Sequence, residues 1–353
     1  MKSVSADIYS KKCAKRIIKQ HNTALIELKI FYDDLNFEII FYRKCKNNQD
    51  TFTIFVKRRG FLYRNQVGTL FAYVVAEKFF RTTGKKQIAL KGVKKMQFSK
   101  WSGCGNDFII VMGPEAENVD AVSMCNRQNG IGADGVVVLK HLKDNDFSMR
   151  IINSDGSEAG MCGNASRCAA RFICQRKLAH GSVFHLHTIS RTVTAEVKND
   201  GKVTVNMGVP KEFLGTIQLE ADGNVFEAET VDMGNPHAVI FVNNMQNVDL
   251  EKWGPVLEHD PQFPDRCNIE FVEFLAPGKL RMRVWERGCG ITAACGTGSC
   301  AALIAAQKRK LADHGAEIYL DGGSLFIRHD LLENIETPVF MTGDAKEIFN
   351  GEL

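Results

Sequence analysis

Two Cys-Gly pairs, Cys162-Gly163 and Cys295-Gly296, each open a run that reads as a helix: NASRCAARFICQRKL over about 164–178 and TGSCAALIAAQKRKL over about 297–311. Both runs have a small polar residue near the start, an Ala-rich apolar body and Lys/Arg in the last turn, as a capped helix should. A cysteine at a helix N-terminus sits beside N–H groups that have no intrahelical acceptor, at the positive end of the helix dipole, and both favour the thiolate. The small residues behind each thiol, Gly163-Asn164 and Gly296-Thr297-Gly298, leave those N–H groups open to an anion. A carboxylate held between two such helix starts would have its α-carbon between two thiols. One thiolate can then take the α-proton while the opposite thiol delivers one to the other face. That inverts the stereocentre without a metal, nucleotide or pyridoxal. The same N–H groups stabilise charge that develops on the carboxylate as the proton leaves.

A lone Cys-Gly is more often a small buried apolar residue. That is the reading for Cys168, Cys174 and Cys300 inside the helical runs, and for Cys13, Cys45, Cys125 and Cys267. Cys104 and Cys289 lie beside the motifs and stay open between the two. What separates Cys162 and Cys295 from the rest is an internal repeat. Met149-Arg150 precedes Cys162 by 13 residues, and Met282-Arg283 precedes Cys295 by the same 13. Upstream, GNDFIIV begins at Gly105 and GNPHAVIFV at Gly234, an offset of 129 against 133 for the cysteines. Each half therefore reads Gly-Asn-strand, Met-Arg-strand, loop, Cys-Gly, helix: a tandem duplication of one α+β unit. The duplication puts two matched helix starts across a shared cleft. Two thiols flanking one carbon are also expected to form a Cys162–Cys295 disulfide under oxidation.

The remaining composition sets the frame. A chain of 353 residues, 44% hydrophobic, can bury a core in each of two or three domains. Residues 1–95 carry 21 Lys/Arg against 7 Asp/Glu, and the rest carries 24 against 34, so a basic arm precedes an acidic body. The arm shows no nucleic-acid recognition motif beyond its charge. It reads as an accessory extension or as a misassigned leader ahead of Met96. FEIIFY and FTIFV in it have strand composition, and 67–81 suggests a helix. Eleven cysteines without a secretory signal point to reduced thiols in a cytoplasm. The most apolar stretch, Phe61 to Phe80, is broken by Arg64, Asn65, Gln66, Glu77 and Lys78, so no membrane span is expected. The chain has no Cys-x-x-Cys, and the spacing of Cys162, Cys168 and Cys174 puts the last two on a helix, against a zinc site. From Met96 onward, short apolar runs punctuated by Gly, Asn and Asp read as many strands with few helices.

From Met96 to the C-terminus the chain resembles the diaminopimelate epimerase family. The matching segments are SGCGNDFIIV (102–111), NGIGADGVVVL (129–139), NSDGSEAGMCGNASRC (153–168), VNMGVP (205–210), MGNPHAVIF (233–241), FPDRCNIEFV (263–272), RVWERGCGITAACGTGSCAA (283–302), and GGSL and MTGDAKEIFNGEL near the end. The resemblance implies an α+β fold of two pseudo-symmetric domains, 96–208 plus 339–353 and 209–338, each a mixed sheet wrapped around a central helix. It implies Cys162 and Cys295 as the acid/base pair, and Asn106, Asn153, Asn235, Asn268, Glu286 and Arg287 as substrate ligands. The backbone at Gly163, Asn164, Gly296 and Thr297 becomes the carboxylate cradle, with His237 close by. It further implies an amino-acid substrate with two amino-acid ends, no cofactor, no metal and a homodimer. Arg287 suits a distal carboxylate through its fork geometry, and Glu286 suits an ammonium. Taken singly, each Asn is as well read as a turn or cap residue, and Glu286-Arg287 as a surface ion pair. The chain departs from the family's usual pattern at Ile291, where Glu is common, at Ser190-Arg191, where Ala-Gly is common, and at Gly160 and Ala165-Ser166. The alternative within the same chemistry is a two-cysteine racemase of proline, hydroxyproline or histidine. Such substrates have no distal end for Asn153, Asn235, Asn268 and Arg287 to bind.

Overall fold

A computed structural model describes residues 15–18, 25–32, 37–46, 49–58, 96–330 and 337–353. They fall in two units, Met1–Lys94 and Lys95–Leu353. The first unit contains a four-stranded antiparallel sheet of Lys15–Ile18, Leu25–Tyr32, Phe37–Lys46 and Gln49–Arg58 in chain order. FEIIFY and FTIFV lie in the last two of these strands. The helix expected over 67–81, Cys13 and the side chain of Cys45 lie outside the described residues.

The second unit is built on an 18-stranded mixed sheet, and its ladder repeats the duplication found in the sequence. In the first half the neighbours run Lys346–Glu352, Gln97–Gly103, Asn106–Met112, Gly135–Lys143, Asp146–Asn153, Val183–His187, Thr192–Val197, Val203–Gly208. In the second they run Lys211–Ala221, Asn224–Asp232, Pro236–Val242, Asn268–Ala276, Lys279–Glu286, Gly315–Leu320, Gly323–His329, Val339–Gly343. Both halves have parallel pairs at the third and fifth steps and antiparallel pairs elsewhere. They join where Val203–Gly208 pairs with Val339–Gly343. The chain's last strand, Lys346–Glu352, completes the first half, and Lys211–Ala221 holds the same place in the second.

Each half wraps one helix. Gly163–Gln175 packs on the first set of strands, Gly296–Lys308 on the second, and the helices touch each other. Ala301, Ala302, Ala305 and Ala306 are fully buried in the second helix, and Ala165, Ala169 and Ala170 in the first. These small side chains let the curled sheet close on a helix from most sides. Large residues of the surrounding strands, such as Trp101, Phe147 and Phe184, fill the layer around the first helix, each worth about 2–3 kcal/mol of apolar burial. Both helices end three residues earlier than the periodicity suggests, and for the same reason. Lys177 and Lys310 take left-handed φ of 52° and 59°. Leu178 N–H then reaches back to Ile173 O, and Leu311 N–H to Ala306 O, in matched Schellman motifs. With Lys rather than Gly at the turn, the sequence carries no stop signal there.

Candidate active site

Cys162 and Cys295 are the N-caps of the two central helices, with extended backbones (φ −142° and −122°). Four residues on, Ser166 and Ser299 donate their hydroxyls back to the cysteine carbonyls at 2.9 and 2.8 Å, so the two starts are built alike. They also face a common wall. A Cβ on Gly163 would lie 2.6 Å from Met341 Cε and 3.3 Å from Met207 Cε; one on Gly296 would lie 3.1 Å from Met341 Sδ and 3.9 Å from Met207 Cε. The residues just behind both thiols thus abut the same two methionines, which come from the strands joining the halves. Gly105 lets the two halves touch: its φ of +85° and its close approach to Gly322 Cα and Ala293 Cβ leave no room for a side chain.

The helix-start position favours thiolate less than its N–H groups alone would suggest. Burial, the largest influence, pushes the Cys162 thiol up, and the N–H groups of Ala165 and Asn164 pull it back only in part. Burial again leads at Cys295, followed by the carboxylates of Glu286 and Glu270, and holds this thiol well above its ordinary value against Thr297 and the Gly298 N–H. Gly298 N–H points at Cys295 Sγ at 3.4 Å, and Thr297 Oγ1 lies 3.5 Å from it. The charge of Glu286 bears on both sulfurs.

Around the helix starts the asparagines are paired in matched fashion. Asn164 donates to Asn106 Oδ1 at 2.6 Å, and Asn235 donates to Thr297 Oγ1 at 3.4 Å. Asn106 is held by Asp134 at 3.0 Å, and Asp134 by Arg127, which also grips Asp107 with both Nη atoms. Asn164 Oδ1 is buried without a hydrogen-bond partner among the described residues, leaving an acceptor for an ammonium. Asn268, 3% exposed, donates to Pro236 O and accepts from Arg287 N–H, so it fixes the loop that presents Arg287. Arg287 Nη1 rests on Asp265 O at 3.1 Å. Glu286 accepts from Thr292, and burial raises its carboxyl. Asn153 ends the strand equivalent to the one that Glu286 ends, and its amide bonds Ser157 at 2.9 Å rather than another of the expected ligands.

Sequence reasoning passed over several groups that build the site. Glu258, 3% exposed, accepts from Trp285 Nε1 (2.6 Å), Gly288 N–H (2.8 Å) and Arg266 (3.2 Å), and so props the Glu286–Cys289 turn from behind. Arg167 is fully buried, donating to Met341 Sδ at 3.5 Å and Asp344 O at 3.3 Å. Glu270 is fully buried against His237, with Oε1 to Nδ1 at 2.6 Å. Only the packing of elements distant in the chain brings these together, so no spacing along it signals them. Two departures from the family pattern meet in space: Ser190 lies directly over the α-carbon of Gly160, and its N–H bonds Gly160 O at 3.2 Å. Cys168, Cys300, Cys125 and Cys267 are buried, as their apolar reading has it, and Cys162 and Cys295 are free thiols. Among the described residues no group of three or more His, Cys, Asp or Glu could hold a metal ion, and no helix is long and apolar enough to cross a membrane.

Known proteins share this design. The diaminopimelate epimerase family model matches residues 98–212 and 229–348. Diaminopimelate epimerases from Synechococcus sp. (strain JA-3-3Ab) and Carboxydothermus hydrogenoformans are each 42% identical to the chain; both alignments cover 73% of it, with 98% and 99% of the relatives. Among solved structures, a hydroxyproline epimerase from Agrobacterium vitis aligns with TM-score 0.57 at 15% identity, over 75% of this chain and 94% of its own. A phenazine biosynthesis protein of the PhzF family from Bacillus anthracis aligns with TM-score 0.56 at 16% identity, over 74% and 99%. At these identities the two structures bear on the fold alone. On the strength of its two matched segments and its relatives, the chain belongs to the diaminopimelate epimerase family.

Proposed function

We propose that the chain interconverts L,L- and meso-diaminopimelate by two-base α-proton transfer, one of Cys162 and Cys295 removing the α-proton and the other delivering its own, in the synthesis of lysine and peptidoglycan precursors. The observation that carries this is the pair of repeat-equivalent cysteines at helix starts backed by one shared methionine wall. The α-carboxylate lies on the N–H groups of Gly163, Asn164, Gly296 and Thr297, which stabilise the charge that builds as the proton leaves. The α-ammonium brings a positive charge into a site where burial and Glu286 disfavour thiolate, and so favours ionisation of one cysteine on binding. That thiolate removes the α-proton, and the opposite thiol protonates the other face. Arg287, with its loop fixed by Asn268, takes the distal carboxylate, and Asn153, Asn235 and Glu286 complete the binding set.

The same reading places the enzyme in the cytoplasm as a homodimer, with domains of 96–208 plus 339–353 and 209–338, and needs no cofactor. The test is a turnover screen of the reduced protein with L,L-diaminopimelate, proline, hydroxyproline and histidine. Turnover of diaminopimelate alone supports the assignment. Turnover of a single-ended amino acid in its place moves the substrate and leaves the two-thiol chemistry standing.

A further inference from the structure

The two cysteine-bearing helix starts are equivalent by the repeat, but the strands behind them are not. Asn106 corresponds to Asn235, so Phe108 holds the place of His237. The parallel pairs Phe108↔Gly135 and His237↔Asn268 then set Val137 opposite Glu270. Phe108 and Val137 are buried and apolar; His237 and Glu270 are equally buried and polar. A chain of contacts runs from this polar pair to one sulfur only. Glu270 Oε1 meets His237 Nδ1 at 2.6 Å, and His237 Nε2 meets Asn235 Oδ1 at 3.1 Å. Asn235 Nδ2 meets Thr297 Oγ1 at 3.4 Å, and Thr297 Oγ1 lies 3.5 Å from Cys295 Sγ. The carboxylate itself is pressed against the helix start. A Cβ on Gly298 would lie 2.5 Å from Glu270 Oε1 and 3.2 Å from Cys295 Sγ. The other oxygen, Oε2, is buried with no hydrogen-bond partner among the described residues. An unpaired buried acceptor at this place is costly for stability.

We propose that Glu270, held in place by His237, is a positioning residue for Cys295 alone, keeping that sulfur in the thiol form so that Cys162 is the first of the pair to ionise. A carboxylate beside a thiol opposes a second negative charge, and the first half has no counterpart to it. The other charged group on Cys295 is Glu286, at the end of strand Lys279–Glu286, which bears on Cys162 too and therefore does not distinguish the sulfurs. On the Cys162 side the buried guanidinium of Arg167 favours the anion. The proposal deepens the epimerase reading and rests on it for the meaning of the asymmetry, but its test needs no substrate.

The experiment compares the full-length wild type, Glu270→Gln and His237→Gln. Each is treated with limiting iodoacetamide at pH 8, and the alkylation rates of Cys295 and Cys162 are read from their peptides by mass spectrometry. Wild type is expected to alkylate faster at Cys162. Glu270→Gln should raise the Cys295/Cys162 rate ratio by about tenfold or more, equivalent to about one pH unit. His237→Gln leaves Glu270 Oε1 without its ring partner, so the carboxylate's charge is less compensated and the ratio should fall. Glu270→Asp, which keeps the charge, should stay near wild type. Opposite signs in the first two variants cannot come from general loosening, which would move both ratios the same way. An unchanged ratio in Glu270→Gln, or equal shifts in Glu270→Gln and His237→Gln, overturns the proposal. If Glu270→Gln does not fold, the direction of the His237→Gln change decides it. Absence of epimerase activity in wild type would instead strike the functional reading and leave these ratios interpretable.

Discussion

Replacing Gly298 with alanine sets two effects of similar size against each other. In a helix, Gly→Ala ordinarily gains about 1 kcal/mol through propensity, and the equivalent position in the first half is already Ala165. At Gly298, however, the new methyl would lie 2.5 Å from Glu270 Oε1, closer than non-bonded atoms approach, and a tight 3.2 Å from Cys295 Sγ. Glu270 is fully buried, so its carboxylate cannot swing into solvent; it can move only by giving up His237. Losing a charge-assisted hydrogen bond of this kind costs about 1.5–3 kcal/mol. Gly298→Ala should therefore be destabilised by about 1 kcal/mol net, and its kcat should fall about tenfold or more as Asn235 and Thr297 lose their anchor. Urea unfolding and an epimerisation assay measure both. The first half accommodates its alanine because Val137 and Phe108 stand where Glu270 and His237 do. Gly298→Ala combined with Glu270→Val and His237→Phe should then recover the lost stability without recovering activity, a coupling of about 1 kcal/mol or more. A single Gly298→Ala variant that is more stable than wild type and fully active would refute the reasoning.

Three further outcomes follow from the packing. Lys177→Gly and Lys310→Gly relieve left-handed backbone at the two Schellman turns and should each stabilise by about 0.5–1 kcal/mol, read as a rise in the urea midpoint. Glu258→Ala removes the acceptor for Trp285, Gly288 and Arg266, so the Glu286–Arg287 turn loosens; KM for diaminopimelate should rise about tenfold while kcat changes less. Burial raises the carboxyls of Asp107, Glu229 and Glu347, but Arg127 with Lys100, Thr216 with Lys308 and Arg309, and Ser99 with Arg176 outweigh it and hold them below their ordinary 3.8, 4.5 and 4.5. With folded values below unfolded ones, their stabilisation is complete above the ordinary values and is lost as pH falls through the lower folded ones. Urea midpoints should be flat near neutrality and drop below pH 4, with a shallower drop in Glu229→Gln.

The repeat was legible because duplication is written along the chain: Cys162 and Cys295 follow their Met-Arg strands at the same distance, and the ladders of the two halves turn out to match step for step. The Ala-rich helices were legible from composition, but their ends were not, since Lys177 and Lys310 terminate them where glycine would have announced a stop. Glu270, Glu258, Met207 and Met341 were invisible for another reason. Each is an ordinary strand or helix residue whose role arises only when parallel registers and the Val203–Gly208 to Val339–Gly343 seam bring distant segments together. The proton state of the cysteines was only half legible. Helix starts favour thiolate, while the burial that opposes it depends on how completely the sheet closes around each helix.

The central claim is that one of Cys162 and Cys295 removes the α-proton while the other delivers a different proton to the opposite face, and isotope exchange tests it most directly. The reduced protein is incubated with L,L-diaminopimelate in heavy water, and deuterium at the α-carbon is followed with formation of the meso isomer in wild type, Cys162→Ala and Cys295→Ala. The account predicts deuterium entry together with isomerisation in wild type and loss of isomerisation in both variants. Isomerisation that persists in either variant, or that proceeds in wild type without solvent deuterium entering the product, would contradict it.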